Sequence, residues 1–339
     1  MQIRTRGTSL SSYLKMNLKT IQESLKVELD TVNRLISDSL VSNVQLLNKI
    51  NEYLFNTRGK QLRPLLSILS AKACGTPDLT TFRCAAVAEM IHTATLLHDD
   101  VADNSFQRRG EQTVQTKFSP ASSVLTGDYW LAKALSMLVA VNDVHLMGFF
   151  TRAVEDLSEG ELFQMQKATS MDTTEEDYLK IISRKTSSLF IAAIAGAAYT
   201  SGAPKHITKL MSDYAYHLGI AFQIRDDIFD YMPELDAGKN SGTDIKEKKI
   251  TLPLICALNQ APEKESRALL SFIKETHAGE ESLVNKSFDF VSKYSGITCA
   301  QNVLFRHSET AAKILSPLEN SLYKTELEQI AYYVGNRLV

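Results

Sequence analysis

The sequence predicts an all-α fold, a single unit built as a bundle of about ten or more helices, and three observations carry that expectation. Apolar side chains recur at three- and four-residue steps from end to end. Alternating runs bounded by hairpin signals are missing. Hydrophobic content of 44%, with only 15 Gly and 8 Pro and no Pro-rich or Ser/Gly-rich tether, suits one compact body of 339 residues.

The elements follow in chain order. Residues 17–55 carry the first helical pattern. RGKQLRP at 58–64 interrupts it, and Pro64 is suited to the first turn of a new helix. GTPD at 75–78 breaks the chain before a periodic stretch at 83–103, and SP at 119–120 opens the pattern at 120–142. Further patterns cover 144–168 and 175–200. The second contains LFIAAIAGAAY at 189–199, which reads as a buried helix too short to cross a bilayer; no apolar run is expected to reach the ~18 residues a span needs. After SGAP at 201–204, Ile207, Leu210, Met211, Tyr214, Leu218, Ala221, Phe222, Ile228 and Phe229 keep helical steps for about six turns, and Pro233 ends the run. The longest irregular stretch, 233–251, is rich in Asp, Gly and Lys; a long polar loop in a helical chain belongs near a site. Patterns at 251–275, with a break at AP (261–262), and at 302–334 complete the reading.

A net charge of -2 leaves no global basic field, so sequence-independent binding to nucleic acid has no support. Cys74, Cys84, Cys256 and Cys299 lack CxxC spacing. That argues against a zinc site or a disulfide framework, and fits core packing in a reducing, cytoplasmic compartment. The expectation is a protein that is not integral to the membrane, with residues 1–16 as a flexible tail and Met16 as a possible start.

The chemistry is concentrated in HDDVADNSFQRRG at 98–110. Asp99 and Asp103 stand four residues apart and Asp100 and Asp103 three apart, so carboxylates converge on one helical face. Such convergence is costly without a cation, and oxygen-rich ligands of this kind suit Mg²⁺. The pattern returns at the end of the other long amphipathic helix, where RDDIFDY carries Asp226, Asp227 and Asp230 at the same DDxxD spacing, 127 residues on (226 minus 99). Two carboxylate clusters facing each other suit several divalent ions shared with substrate phosphates. Cationic blocks accompany them: RGKQLRP with Lys60 and Arg63, RR at 108–109, RKT at 184–186, and GK followed by DIKEKK within 238–249. His92 lies two turns before Asp99 on much the same face and can donate a further hydrogen bond.

On RGKQLRP, HTATLLHDDVAD, RRG, VLTGDYWLAKAL, GE at 160–161, RKTSSLF, GIAFQIRDDIFDY and GTDIKEKKITLPLI, in that order, the chain resembles the trans-isoprenyl diphosphate synthases, the polyprenyl synthase family, from about residue 50 to 339. The resemblance implies a helical bundle with a central cavity and Mg²⁺-dependent, head-to-tail condensation of an allylic diphosphate with isopentenyl diphosphate. Carried over, it makes Asp99 and Asp103 ligands of two ions and Asp226 of a third, with Asp100, Asp227 and Asp230 orienting ligands or waters around them. It assigns Arg108, Lys185, Lys239 and Lys249 to the allylic diphosphate, and Lys60, Arg63, His92 and Arg109 to isopentenyl diphosphate. Thr186 and Gln223 would face the allylic cation, and the released diphosphate would take the final proton.

Ala94 and Thr95, five and four residues before Asp99, are small where short-chain members carry a bulky aromatic. The resemblance therefore implies products of about seven to nine isoprene units for quinone side chains, which partition to membrane, and a homodimer. Two positions depart from the family pattern: Phe106 stands where an acid is common, and Lys248 replaces a usual glycine, leaving open whether Lys248 or Lys249 reaches substrate. The alternatives are a short-chain farnesyl or geranylgeranyl diphosphate synthase, a class I terpene cyclase, and a non-catalytic subunit of a heteromeric synthase. Intact second-motif aspartates and Lys60, Arg63 and Arg109 favour coupling over the last two.

Overall fold

The structure, a computed structural model, describes residues 18–108, 110–232, 241–277 and 280–336. The expected helical bundle is present. The expected tail at 1–16 lies outside the described residues, as do Pro233, Arg109 and Lys239.

At the centre lies Ser188–Thr200, apolar on every side and almost wholly buried, as a helix without a polar face must be. Around it pack Leu62–Cys74, Leu79–Ala102, Val144–Ser170 and Lys205–Asp230, while Gly296–Ile314 lies against Lys205–Asp230. Leu79–Ala102 and Lys205–Asp230, the two motif helices, end on the same cavity.

The predicted breaks act as helix starts. Asp78 forms a capping box with Thr81, Ser119 accepts from the Ser122 amide beside Pro120, Pro204 precedes Lys205–Asp230, and Pro262 precedes Glu263–Glu275. Each side-chain cap contributes about 1 kcal/mol. Asp143 caps Val144–Ser170 through the amides of His145 and Leu146, bonds that hold its carboxyl below the usual range.

Several expectations need correction. The pattern at 17–55 is three helices, Leu18–Ser24, Lys26–Ser39 and Gln45–Asn56. One interruption is a polar turn in which Asn48 bonds Ser42 through both its amide oxygen and nitrogen, so no Gly or Pro marks it. The pattern at 302–334 is Gly296–Ile314 and Leu322–Asn336, and Glu281–Lys293 was not anticipated. Gln107–Arg108 and Glu111–Gln112 pair as a two-residue antiparallel ladder, turned at Gly110 with φ of 81°. Cys256 and Cys299 are joined as a disulfide, against the expectation of none. Their helices pack together, and adjacency across 43 residues leaves no mark in local spacing.

Two segments also meet the length and composition of a membrane span, which the sequence reading had not found: Pro120–Val141 and Glu175–Thr200. The second is mostly buried in the bundle and the first mostly is not. On Pro120–Val141, Leu125 and Val139 are exposed, as are Leu162 and Met165 on Val144–Ser170.

Candidate active site

A cavity of about 2160 Å³ opens between the ends of the two motif helices. Asp99, Asp103, Asp226 and Asp230 line it, whereas Asp100 and Asp227 do not. Helical geometry separates them: residue 100 is turned about 100° from residue 99, so its carboxylate leaves the cavity face. Asp100 is buried and takes both Arg108 Nε and Nη2 on one oxygen at 2.8 Å. Its carbonyl accepts the Ser105 amide at 2.8 Å and the Gln115 side-chain amide, so Asp100 ties down the turn that carries the Arg108 ladder. Asp99, by contrast, is left in the cavity. Burial raises its pKa to about 6, an effect that Lys185 opposes and Glu161 and Asp103 reinforce.

The second motif divides the same way. Asp226 faces the cavity with Arg225 Nη2 at 3.0 Å. Asp227 is buried, where it accepts from Tyr178 Oη at 2.6 Å and Gln223 Nε2 at 2.8 Å; burial lifts its carboxyl to about 6 against the pull of those two bonds. Asp230 accepts the Thr243 amide at 3.0 Å and the Asp244 amide at 3.1 Å, which fixes the start of Thr243–Lys246 over the cavity. The polar loop expected near a site is there in its described part. Asp244 also lines the cavity, and burial, with Asp227 and Asp230 nearby, pushes its carboxyl well above the usual range. Sequence reading missed it although it lies inside the quoted GTDIKEKK.

Lys249 Nζ lies 3.3 Å from Asp103 and 2.6 Å from Glu247. Burial works against its charge, but the two acids outweigh that and hold the ammonium above its ordinary range. It therefore links the first motif to the loop after the second. Lys248 points elsewhere, donating to the Lys274 carbonyl at 3.0 Å, with its backbone left-handed at φ of 59°. That is the conformation a glycine takes without strain, at the position where the family usually has one. Phe106, the other departure, is exposed on the cavity rim.

Lys60, Arg63 and His92 line the same cavity. Gln61 has φ of 48° and turns the chain into Leu62–Cys74, so Lys60 precedes that helix and Arg63 falls in its first turn, at the positive end of the helix dipole. N-terminal residues brace this turn: Asn33 Oδ1 accepts from Arg58 Nη1 and Gln61 Nε2, both at 2.7 Å, and Gln22 Nε2 donates to the Lys60 carbonyl at 2.6 Å. Arg63 lies over the Phe190 ring, 4.8 Å from its centroid. Arg58, Glu89 and Tyr333 complete the lining without having been singled out in the sequence.

Lys185 and Thr186 sit on Ser183–Ser187, one turn of π-helix between Glu175–Ile182 and Ser188–Thr200. Such turns widen the helix by an extra residue and recur at functional sites. Lys185 Nζ meets Glu161 at 2.5 Å, and Thr186 Oγ1 donates to Gln223 Oε1 at 2.6 Å; all four residues line the cavity. Thr95 lines it as well. Ala94 is 1% exposed within the core and does not.

All donors at the two motifs are carboxylate oxygens, a set suited to a hard divalent ion. Among the described residues, no three His, Cys, Asp or Glu side chains come together closely enough to hold an ion unaided. Such a site is completed by oxygens from its ligand, as Mg²⁺ is when it binds through few carboxylates and substrate phosphates.

Residues 44–291 match the Polyprenyl synthetase family. The chain is 32% identical over 323 residues to the octaprenyl diphosphate synthase of Haemophilus influenzae, covering 95% of this chain and 98% of that protein. Among solved structures it resembles a decaprenyl diphosphate synthase from Rhodobacter capsulatus (TM-score 0.89, 33% identity, 95% and 100% coverage). It also resembles a polyprenyl synthase from Caulobacter crescentus complexed with calcium and isoprenyl diphosphate (TM-score 0.87, 30% identity, 95% and 98% coverage). Matched along most of its length, with both aspartate-rich motifs brought to one cavity, the chain belongs to the polyprenyl synthetase family and is a prenyltransferase of the trans-polyprenyl diphosphate synthase type.

Proposed function

We propose that this enzyme couples an allylic diphosphate to successive isopentenyl diphosphates with Mg²⁺, about three ions per site, as one domain. The observation that carries this reading is that one cavity gathers two sets of residues suited to diphosphates: Asp99, Asp103 and Asp226 with Lys185, and Lys60, Arg63 and His92. Asp99, Asp103 and Asp226 would hold the ions, which supply Lewis-acid stabilisation to the departing diphosphate. Lys185 and Lys249 add positive charge beside that group, and Arg108, Arg109 and Lys239 keep the roles implied by resemblance. Lys60, Arg63 and His92 hold the second substrate so that its double bond meets the cation, a gain of proximity. Thr186 and Gln223, hydrogen-bonded to each other and both lining the cavity, would offer their oxygens to that cation. Purified protein given Mg²⁺, labelled isopentenyl diphosphate and several allylic starters is expected to yield linear products. Cyclic hydrocarbon from the allylic diphosphate alone, or no elongation until a second protein is added, sinks the reading.

A product of seven to nine units is the proposed length, supported by the small side chain of Thr95 on the cavity and by octaprenyl and decaprenyl synthases among the relatives. Thr95 is the more direct lever. Its hydroxyl bonds only its own helix, at the His92 carbonyl 2.9 Å away, so Thr95→Tyr orphans no partner and projects a ring into the cavity. Products of Thr95→Tyr are expected to shorten by two or more units on chromatography; an unchanged ladder means the tail follows another wall. Ala94→Tyr instead forces a ring into packed core, at about 1–3 kcal/mol.

The exposed apolar side chains of Pro120–Val141 and Val144–Ser170 are proposed as the interface of a homodimer. A scattering mass equal to one chain excludes it.

A further inference from the structure

We propose that Tyr178 is a positioning residue for catalysis, acting through Asp227 to set which atom of Gln223 faces the reacting carbon. The inference rests on the reading above, in which Thr186 and Gln223 face the allylic cation. Tyr178 is 3% exposed on Glu175–Ile182, lies behind the cavity wall and touches no part of the cavity.

Four groups form one chain of hydrogen bonds. Tyr178 Oη donates to Asp227 Oδ2 at 2.6 Å, and Gln223 Nε2 donates to Asp227 Oδ1 at 2.8 Å. Gln223 Oε1 accepts from Thr186 Oγ1 at 2.6 Å. The direction of this chain is forced by chemistry. An ionised carboxylate only accepts, so the amide nitrogen of Gln223 must point to Asp227 and its oxygen must point away, toward Thr186. The result is that the negative end of the Gln223 amide dipole and the oxygen of Thr186 are presented together at the cavity, where positive charge develops. A flipped amide would present two N–H donors to a cation.

Tyr178 completes the arrangement because Asp227 is buried with two oxygens to satisfy, and Gln223 reaches only one. Without the phenol, the second oxygen lacks that donor and the carboxylate gains freedom to rotate. A rotated carboxylate no longer holds the Gln223 amide nitrogen in place. The helix carrying Tyr178 is itself held at its start by the capping box of Thr174 and Asp177, and Asp177 is paired with Lys167 at 2.8 Å. The phenol is therefore delivered from a fixed element to a fixed target.

The test uses the full chain with Mg²⁺, isopentenyl diphosphate and an allylic starter, comparing Tyr178→Phe, Gln223→Leu and the double variant. Loss of one hydrogen bond to a charged group predicts a fall in kcat of about tenfold in Tyr178→Phe. KM for both diphosphates is expected to stay within about twofold, since Tyr178 does not line the cavity. If Tyr178 acts through Gln223, its loss adds little to Gln223→Leu, so the two effects on kcat do not multiply. A Tyr178→Phe enzyme with unchanged kcat, or effects that multiply fully, overturns the proposal while the cation reading stands. An unchanged kcat in Gln223→Leu overturns the cation reading and the role of Tyr178 with it.

Discussion

Asp99→Asn is expected to lower turnover by about three orders of magnitude while the protein stays folded. The substitution keeps the shape of the side chain and removes its charge from the centre of the cavity, next to Asp103, Glu161 and Lys185. Preorganised stabilisation of a leaving group by charge is worth about 4 kcal/mol at a single position, and that is the factor expected here. Asp100→Asn provides the contrast. Asp100 is just as acidic in sequence, yet it faces Arg108 and the turn beyond it, so its loss strips a partner from a largely buried ion pair. Its effect belongs in the melting temperature and in the position of Arg108. Incorporation of labelled isopentenyl diphosphate at saturating Mg²⁺, paired with thermal denaturation, separates the two. If Asp99→Asn retains more than a tenth of wild-type turnover, Asp99 is not the group that meets the ionising substrate.

That contrast also shows where sequence was sufficient. The two DDxxD motifs are local patterns, and the 100° step of a helix sends Asp99 and Asp103 one way and Asp100 another. The spacing gives the Asp99–Asp103 pair but also groups Asp100 with Asp103, and it is Arg108 on the following turn that shows where Asp100 faces. The caps at Asp78 and Ser119 are legible for the same reason: they are chemistry over four residues. What the sequence hid depends on distance along the chain. Lys248 and Lys249 are adjacent and alike, and only the left-handed turn at Lys248 sends one to Lys274 and the other to Asp103. Tyr178 reads as one more apolar position on an amphipathic helix, and its role exists because Asp227 arrives from 49 residues away. The same holds for Cys256 and Cys299, and for Ala94, whose small size suggested a tunnel wall but whose direction puts it in the core.

Gly219→Ala is expected to cost the enzyme about a hundredfold in turnover, although Gly219 touches no substrate. A β-carbon at this position would stand 2.7 Å from the α-carbon of Ser187 and 2.6 Å from its Oγ, both too close, and the first of these is backbone that cannot swing aside. Ser187 is the last residue of the π turn. On the opposite side, Gly160 meets the same turn, where an added β-carbon would lie 2.9 Å from Arg184 Cβ and 3.0 Å from the Lys185 amide nitrogen. The wider turn fits between two helices because each supplies a glycine facing it. Adding a methyl group at either must shift the turn, and the turn carries Lys185 and Thr186 into the cavity. Overpacking of this kind costs about 1–3 kcal/mol of stability. The catalytic loss is the larger effect, because a displacement of about 1 Å in a positioned group is enough for a hundredfold drop. KM for isopentenyl diphosphate should hold within about twofold, since Lys60, Arg63 and His92 are carried by Leu62–Cys74, the residues before it, and Leu79–Ala102 rather than by the π turn. Steady-state kinetics of Gly219→Ala and Gly160→Ala, with melting temperatures alongside, check this. Turnover that falls only as far as the folded fraction does would mean that the glycines serve packing alone, whereas turnover lost by a fully folded enzyme ties the π turn to the chemistry.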